Sequence, residues 1–250
     1  MDKITSRKNP LAVNMKRLGA SRAYRDESGE FLCDGLKLLE DAVKSCVEIT
    51  TVLTASNVPF PLSAGTRVYY TDQRLIDSLS PLKNAQDTLF ICKITSSQAE
   101  FETAGTHILL DGVQDPGNVG SIIRTANALG IKNVILVDGC ADPYNPKTIR
   151  ASMGAIFRQR VYSMGLTELT ELKDAGIKFI GTALHERCKD VHGVNLNDSI
   201  IAIGNEGRGL SEEVLDLCDE RITIPIAPEC ESLNAAVAAA IIIWEWARSV

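Results

Sequence analysis

The chain has 250 residues, 45% of them hydrophobic and 23% charged, an ordinary balance for a soluble globular protein of one large domain or two modest ones. Its longest strongly apolar run, Ala235 to Trp246, is too short for the roughly 20 residues a bilayer span needs. The opening MDKITSRKNP lacks the apolar core of a signal peptide, so a cytoplasmic protein without membrane attachment is expected.

The net charge of −6 argues weakly against nucleic acid, but it averages over an asymmetry. Residues 1–25 hold Lys3, Arg7, Lys8, Lys16, Arg17, Arg22 and Arg25 against Asp2 alone, which suggests an anionic partner at that end, RNA the natural candidate. A solvated basic helix is the plain alternative. Beyond it, Leu36, Leu39, Val43 and Cys46 recur at helical spacing. Ile49 to Leu53 and Arg67 to Tyr70 read as strands. Asp72 caps a short helix through Leu79, and Thr88 to Ile94 is a third strand. Residues 1–95 thus form a small α/β domain. The polar stretch ending in FETAGT makes 96–106 a linker.

From 107 to 250 strands and helices alternate. Strands are expected at HILLD (107–111), Asn133 to Val137, Arg160 to Tyr162, Lys178 to Ala183, Ser199 to Ile203 and Arg221 to Ile226. Helices are expected at Val119 to Leu129, within Pro146 to Phe157, at Leu166 to Asp174, Ser211 to Cys218 and Leu233 to Arg248. This alternation implies a mainly parallel sheet covered on both faces, with ligands beyond the carboxyl ends of its strands.

Three loops stand at such ends. In DGVQDPGNVG, Asn118 is expected to cap the next helix, with Gly120, Arg124 and Asn127 on one face; Gly120 leaves room for a ligand near Arg124. In GNEGRGLSEE, Gly204, Gly207 and Gly209 allow positive φ and close backbone approach around Glu206, and Ser211 caps a helix. In IPIAPECESLNAAVAAA, Ser232 or Asn234 starts a helix of small residues. An exposed Arg, a turn carboxylate and a tightly packed helix are the bland readings of the three.

Seven dispersed cysteines without a C-x-x-C pair suggest reduced, mostly buried thiols. His185, Cys188 and His192 lack a fourth ligand nearby, so no metal is expected.

Taken together, N-x-G-x-x-x-R (Asn118, Gly120, Arg124), G-N-E-G-x-G-L (Gly204 to Leu210) and I-P-I with S-L-N-x-A-V-A (Ile224 to Ile226, Ser232 to Ala238) resemble the three motifs of the SpoU (TrmH) family of RNA ribose 2′-O-methyltransferases. IRASMGA (149–155) resembles a further family segment. ITSRKNP with a basic helix, then GEFLCDGLKLLEDAV, is similar to the family's small substrate-binding domain, akin to RNA-binding ribosomal proteins; Asp34 stands where members often carry Glu.

The resemblance implies a C-terminal α/β knot of the SPOUT type, a deep trefoil, and a homodimer. It implies S-adenosylmethionine held by Gly204, Ile224 and Leu233, with Glu206, Ile226 and Asn234 close by. It implies methyl transfer to a ribose 2′-hydroxyl, with Arg124 essential, Asn118 orienting it or the ribose, Glu206 holding Arg124 or Asn118, and Ser232 and Asn234 lining the pocket. Arg7, Lys8, Lys16, Arg17, Arg22 and Arg25 would bind RNA. The type resembled is the 23S rRNA guanosine enzyme. A tRNA enzyme, a non-catalytic ribosome-assembly protein and a nucleotide-dependent oxidoreductase are the rivals; the last lacks a dinucleotide fingerprint.

Overall fold

The computed structural model describes residues 2–94, 101–183 and 188–249. These fall into two compact units: Met1–Thr95 with Asp142–Arg158, and Ser96–Ala141 with Gln159–Val250.

The first unit runs β1 (Asp2–Lys3), α1 (Pro10–Ala20), α2 (Arg22–Ser28), β2 (Glu30–Asp34), α3 (Leu36–Lys44), β3 (Ile49–Thr54), β4 (Arg67–Tyr70), α4 (Gln73–Leu79) and β5 (Thr88–Lys93). Its sheet is mixed, in the order β1-β4-β3-β5-β2, with β5 antiparallel to both β2 and β3. Asn9 caps α1 by accepting from Leu11 N at 2.9 Å, and Pro10 enters where no helical donor is needed. Ala12, Met15 and Leu18 then fall on one face and join Leu32, Leu53, Ile76 and Leu89 in the core. Asp34, at the end of β2, accepts from Ser80 Oγ (2.5 Å) and Gln86 N (2.9 Å), tying the 80–86 turn to the sheet.

The second unit is built on seven strands, all paired in parallel: β6 (His107–Leu110), β7 (Asn133–Leu136), β8 (Arg160–Ser163), β9 (Lys178–Thr182), β10 (Lys189–Asp190), β11 (Ser199–Ile203) and β12 (Glu220–Thr223). The order is β10-β12-β9-β11-β6-β7-β8. β6, β7 and β11 are buried at every residue, as expected of strands covered on both faces. The helices are α5 (Pro116–Leu129), then α6 (Pro146–Ser152), which lies between β7 and β8 in sequence but in the first unit, α7 (Leu166–Asp174), α8 (Glu212–Leu217) and α9 (Ala235–Ala247). From β6 the chain moves through β7 to β8, then returns to the other side of β6. Loops leaving β6 and its neighbour β11 therefore diverge, the place where such sheets bind ligands.

Two local expectations change. The helix expected within 146–157 breaks after Ser152, where Met153 (φ 49°) and Gly154 (φ 80°) turn left-handed before a 3₁₀ turn, Ala155–Phe157. The strand expected to reach Ile226 stops at Thr223, because Pro225 has no N–H to give a ladder. Of the expected linker 96–106, residues 96–100 lie outside the described residues. Asp142–Arg158, within the expected 107–250 half in sequence, groups by contacts with the first unit.

His107 is buried. Asn133 Nδ2 donates to its Nδ1 (3.0 Å), so Nε2 carries the proton and gives it to the Thr103 carbonyl (3.2 Å). Burial holds this imidazole below its ordinary pKa of 6.5.

Candidate active site

Three loops meet beyond the carboxyl ends of β6, β11 and β12. In the first, Asp111 is buried and accepts from both Ser211 N and Ser211 Oγ at 2.7 Å. Asp115, not Asn118, caps α5: its carboxylate accepts from Asn118 N at 2.9 Å, and Pro116 takes the first helical position. The cap expectation for Asn118 is therefore corrected, and its side chain is released for other work.

In the second loop, Asn205 and Gly209 exchange backbone hydrogen bonds of 3.0 and 2.9 Å. Asn205 Oδ1 accepts from Gly207 N (2.9 Å) and Arg208 N (3.1 Å), an Asx turn, and its Nδ2 donates to the Gly112 carbonyl (2.9 Å) in the first loop. Of the three glycines expected at positive φ, Gly209 alone has it, at 72°. Gly204 serves space instead: a Cβ there would overlap the Gly209 carbonyl and Leu210 N.

In the third loop, Asn234 caps α9, accepting from Ala236 N (3.0 Å) and Val237 N (3.3 Å). Its Nδ2 donates to Asn118 Oδ1 at 3.0 Å. Asn118 Nδ2 in turn donates to Glu206 Oε1. A carboxylate only accepts, so Glu206 fixes the direction of every bond in this chain. One side chain from each motif loop is thereby joined to the next.

Arg124 is exposed six residues along α5 from Asn118, and has no hydrogen bond or ion pair among the described residues. Glu206 engages Asn118 rather than Arg124. Gly120, expected to open space for a ligand, is itself buried, and α5 packs against α9.

A cavity of about 450 Å³ opens between the second and third loops. The expected cofactor residues Gly204, Glu206, Ile224, Ile226 and Leu233 line it, together with Ser232. Asn234 is not among the lining residues but touches the site through Asn118. The remaining wall is mainly apolar, with Ile203, Leu210, Ile222 and Ile242, and Thr182 and Ala183 at the end of β9. Sequence reasoning misses Thr182, Ala183 and the tie made by Asn205; an Asn inside a glycine-rich turn is the one available signal.

Of the six expected RNA contacts, Arg7, Lys8, Lys16, Arg17 and Arg22 are exposed. Arg17 lies over the Tyr24 ring at 3.7 Å, and Tyr24 donates to Asn14 Oδ1 at 2.7 Å. Arg25 is not available. It is 3% exposed, with Nε and Nη2 on Asp142 Oδ2 (2.8 and 2.5 Å) and Nη1 on the Leu18 carbonyl (2.5 Å). A guanidinium with an acid and a carbonyl in reach is satisfied internally. Among the described residues no group of three or more His, Cys, Asp or Glu side chains could hold a metal, and no helix is long and apolar enough to cross a membrane. His185 lies outside the described residues.

The geometry has known counterparts. Residues 105–244 match the SpoU rRNA Methylase family and residues 9–89 the MRM3-like substrate binding domain. The chain belongs to the SpoU rRNA Methylase family. It is 33% identical to the 23S rRNA (guanosine(2553)-2′-O)-methyltransferase RlmP of Bacillus subtilis over 98% of both chains. It is 32% identical to the 23S rRNA (uridine(2479)-2′-O)-methyltransferase of Streptomyces viridochromogenes, over 98% of this chain and 92% of that one. An AdoMet-bound rRNA methyltransferase from Sinorhizobium meliloti superposes with a TM-score of 0.87 at 28% identity, covering 100% of this chain and 98% of the other.

Proposed function

We propose that this protein transfers a methyl group from S-adenosylmethionine to a ribose 2′-hydroxyl of 23S rRNA. The observation that carries this reading is the Glu206–Asn118–Asn234 hydrogen-bond chain, which fastens the helix of an exposed Arg124, without a partner among the described residues, beside an apolar cavity edged by glycine-loop backbone. The cavity volume falls within the several hundred Å³ usual for cofactor sites, and its wall suits an adenine face with few polar contacts. Gly204, Ile224 and Leu233 would hold the cofactor, with Glu206 and Ile226 beside them. When bound, S-adenosylmethionine supplies a methyl group already activated by its sulfonium, so no metal is required.

The chain's own residues then have separable tasks. Arg124 meets the RNA: five free donors suit a phosphate bidentately, and its charge favours loss of the ribose proton nearby. A guanidinium is a donor with no acceptor atom, so Arg124 promotes that loss, the proton passing to solvent, rather than accepting the proton. Asn118, held from both sides, keeps the first loop in register with the other two. Ser232 faces the same cavity.

The same proposal includes the family's trefoil knot through the C-terminal loops, a ribosomal-protein-like first unit and cytoplasmic residence; the full-length likeness to family structures supports the first two. It includes a homodimer, supported by Val237, Ile241 and Trp244, which recur at i, i+4 and i+7 on α9 and are 48%, 37% and 59% exposed. Calorimetric titration of the purified protein with S-adenosylmethionine and, separately, with NAD tests the site. Binding of the first alone is expected; binding of neither, or of the dinucleotide, would remove the enzyme reading.

A further inference from the structure

The excursion Asp142–Arg158 redistributes charge. Cut at residue 95, the N-terminal part holds 13 Lys and Arg against 11 Asp and Glu. Divided as the fold divides it, the first unit holds 16 against 12, net +4, and the second 10 against 20, net −10, which together give the chain's −6. The excursion therefore carries three cations, Lys147, Arg150 and Arg158, and one acid, Asp142. That acid is consumed by the buried pair with Arg25.

The segment is fixed within the first unit along its length. Arg25 bridges the end of α1, through the Leu18 carbonyl, to Asp142. Asp142 also organises the turn into α6: its Oδ1 accepts from Tyr144 N (2.8 Å) and its carbonyl from Thr148 Oγ1 (2.9 Å). Phe31 of β2 stacks with Tyr144 (4.8 Å between centroids) and reaches Phe157 (6.4 Å). Arg150 donates to the Asn84 carbonyl at 3.2 Å, and Arg158 reaches Ser45 Oγ at 3.5 Å. All three cations are exposed, and none forms an ion pair among the described residues. Arg150 and Arg158, held by neutral partners, and Lys147 keep their charge available to an anion.

Resting on the RNA substrate proposed above, we infer that Asp142–Arg158 is a second RNA-contacting element of the substrate-binding unit. Lys147, Arg150 and Arg158 meet phosphates, and Arg25–Asp142 anchors the element beside α1 and α2. A sequence position within the methyltransferase half thus contributes to substrate grip, not to cofactor binding.

The test uses full-length protein and 23S rRNA fragments that the wild type methylates. RNA affinity is measured against salt concentration for Lys147→Gln and for Lys147→Gln/Arg150→Gln/Arg158→Gln. Arg160→Gln, an exposed cation of the acidic unit paired with Glu102, is the comparator. Removing one phosphate-binding cation should flatten the log–log salt slope by somewhat under one unit. The single variant is expected to show a flattening of about that size with an unchanged melting temperature. The triple variant should raise the RNA Kd by about tenfold or more near 0.1 M salt, with S-adenosylmethionine affinity and saturated kcat unchanged. A triple variant with wild-type slope and Kd would overturn the inference while leaving the methyltransferase reading intact. So would equal losses in Arg160→Gln, which would mean that any surface cation counts. Wild type that binds no RNA would overturn both.

Discussion

Replacing Asn118 by Asp changes one amide to a carboxylate and nothing else in shape. It removes the donor that Glu206 accepts and sets two carboxylates at hydrogen-bond distance. At about 3 Å and an effective dielectric near 20, two full charges would repel by roughly 5 kcal/mol. Protonating one of them at pH 7 costs about 4 kcal/mol, from an ordinary carboxyl pKa near 4.3 and about 1.4 kcal/mol per unit. Protonation is the cheaper route, and the half-exposed setting lowers the cost further, to about 1–3 kcal/mol. For a chain of this length that is a fall of roughly 2–10 °C in melting temperature. Because the cost is one of proton uptake, it should shrink below about 1 kcal/mol at pH 5 and grow toward pH 8. In Asn118→Asp/Glu206→Gln the amide and the carboxylate exchange places, a donor faces an acceptor again, and Asn234 keeps its acceptor. Melting curves of wild type, both single variants and the double at pH 5 and 8 read this out. The double variant should recover most of the loss at pH 8. A loss of equal size at both pH values, or a double variant no better than the sum of the singles, would refute the hydrogen-bond chain as drawn.

Three other outcomes are expected on the same grounds. Gly204→Ala places a Cβ on the Gly209 backbone, where no flexible group can yield; calorimetry should show at least a tenfold weaker S-adenosylmethionine affinity, and urea unfolding a loss of about 1–3 kcal/mol. Asp142→Ala strands the buried Arg25 guanidinium, and urea unfolding should show a loss of about 3–5 kcal/mol; a loss below about 1 kcal/mol would mean that the pair is not buried in solution. His107 is held below pKa 6.5 by burial, so the unfolded chain takes up its proton first as pH falls. Its contribution is complete above 6.5 and is lost below that toward the lowered value, so the melting temperature of wild type should fall more steeply from pH 7 to 5 than that of His107→Gln.

The sequence makes some parts of this fold legible and hides others for physical reasons. β4, α7 and β11 lie where their patterns place them, because period and turn chemistry are local. The cap of α5 escapes the pattern because Asp-Pro-Gly-Asn offers two capping side chains three residues apart, and only the geometry chooses Asp115. Arg25 reads as one more basic residue in a basic arm. Its partner Asp142 lies 117 positions away, and no local pattern announces such a pair. The same long-range packing moves Asp142–Arg158 out of the half to which its position in the chain assigns it. In the site, Gly204, Ile224 and Leu233, spaced apart in the sequence, line one cavity. The bonds among Glu206, Asn118 and Asn234, and the lack of a partner for Arg124 among the described residues, are visible only in the structure.

The most direct test of the proposed activity is methyl transfer from labelled S-adenosylmethionine to 23S rRNA taken from cells lacking this protein, with wild type beside Arg124→Ala. Arg124 is exposed and partnerless among the described residues, so its removal should leave melting temperature and cofactor affinity unchanged. Wild type is expected to place label at one alkali-resistant ribose position, and the variant to be slower by about a hundredfold or more. Wild type that binds the cofactor yet labels no ribose, or an Arg124→Ala variant that labels as fast as wild type, would contradict the proposed activity and the role given to Arg124.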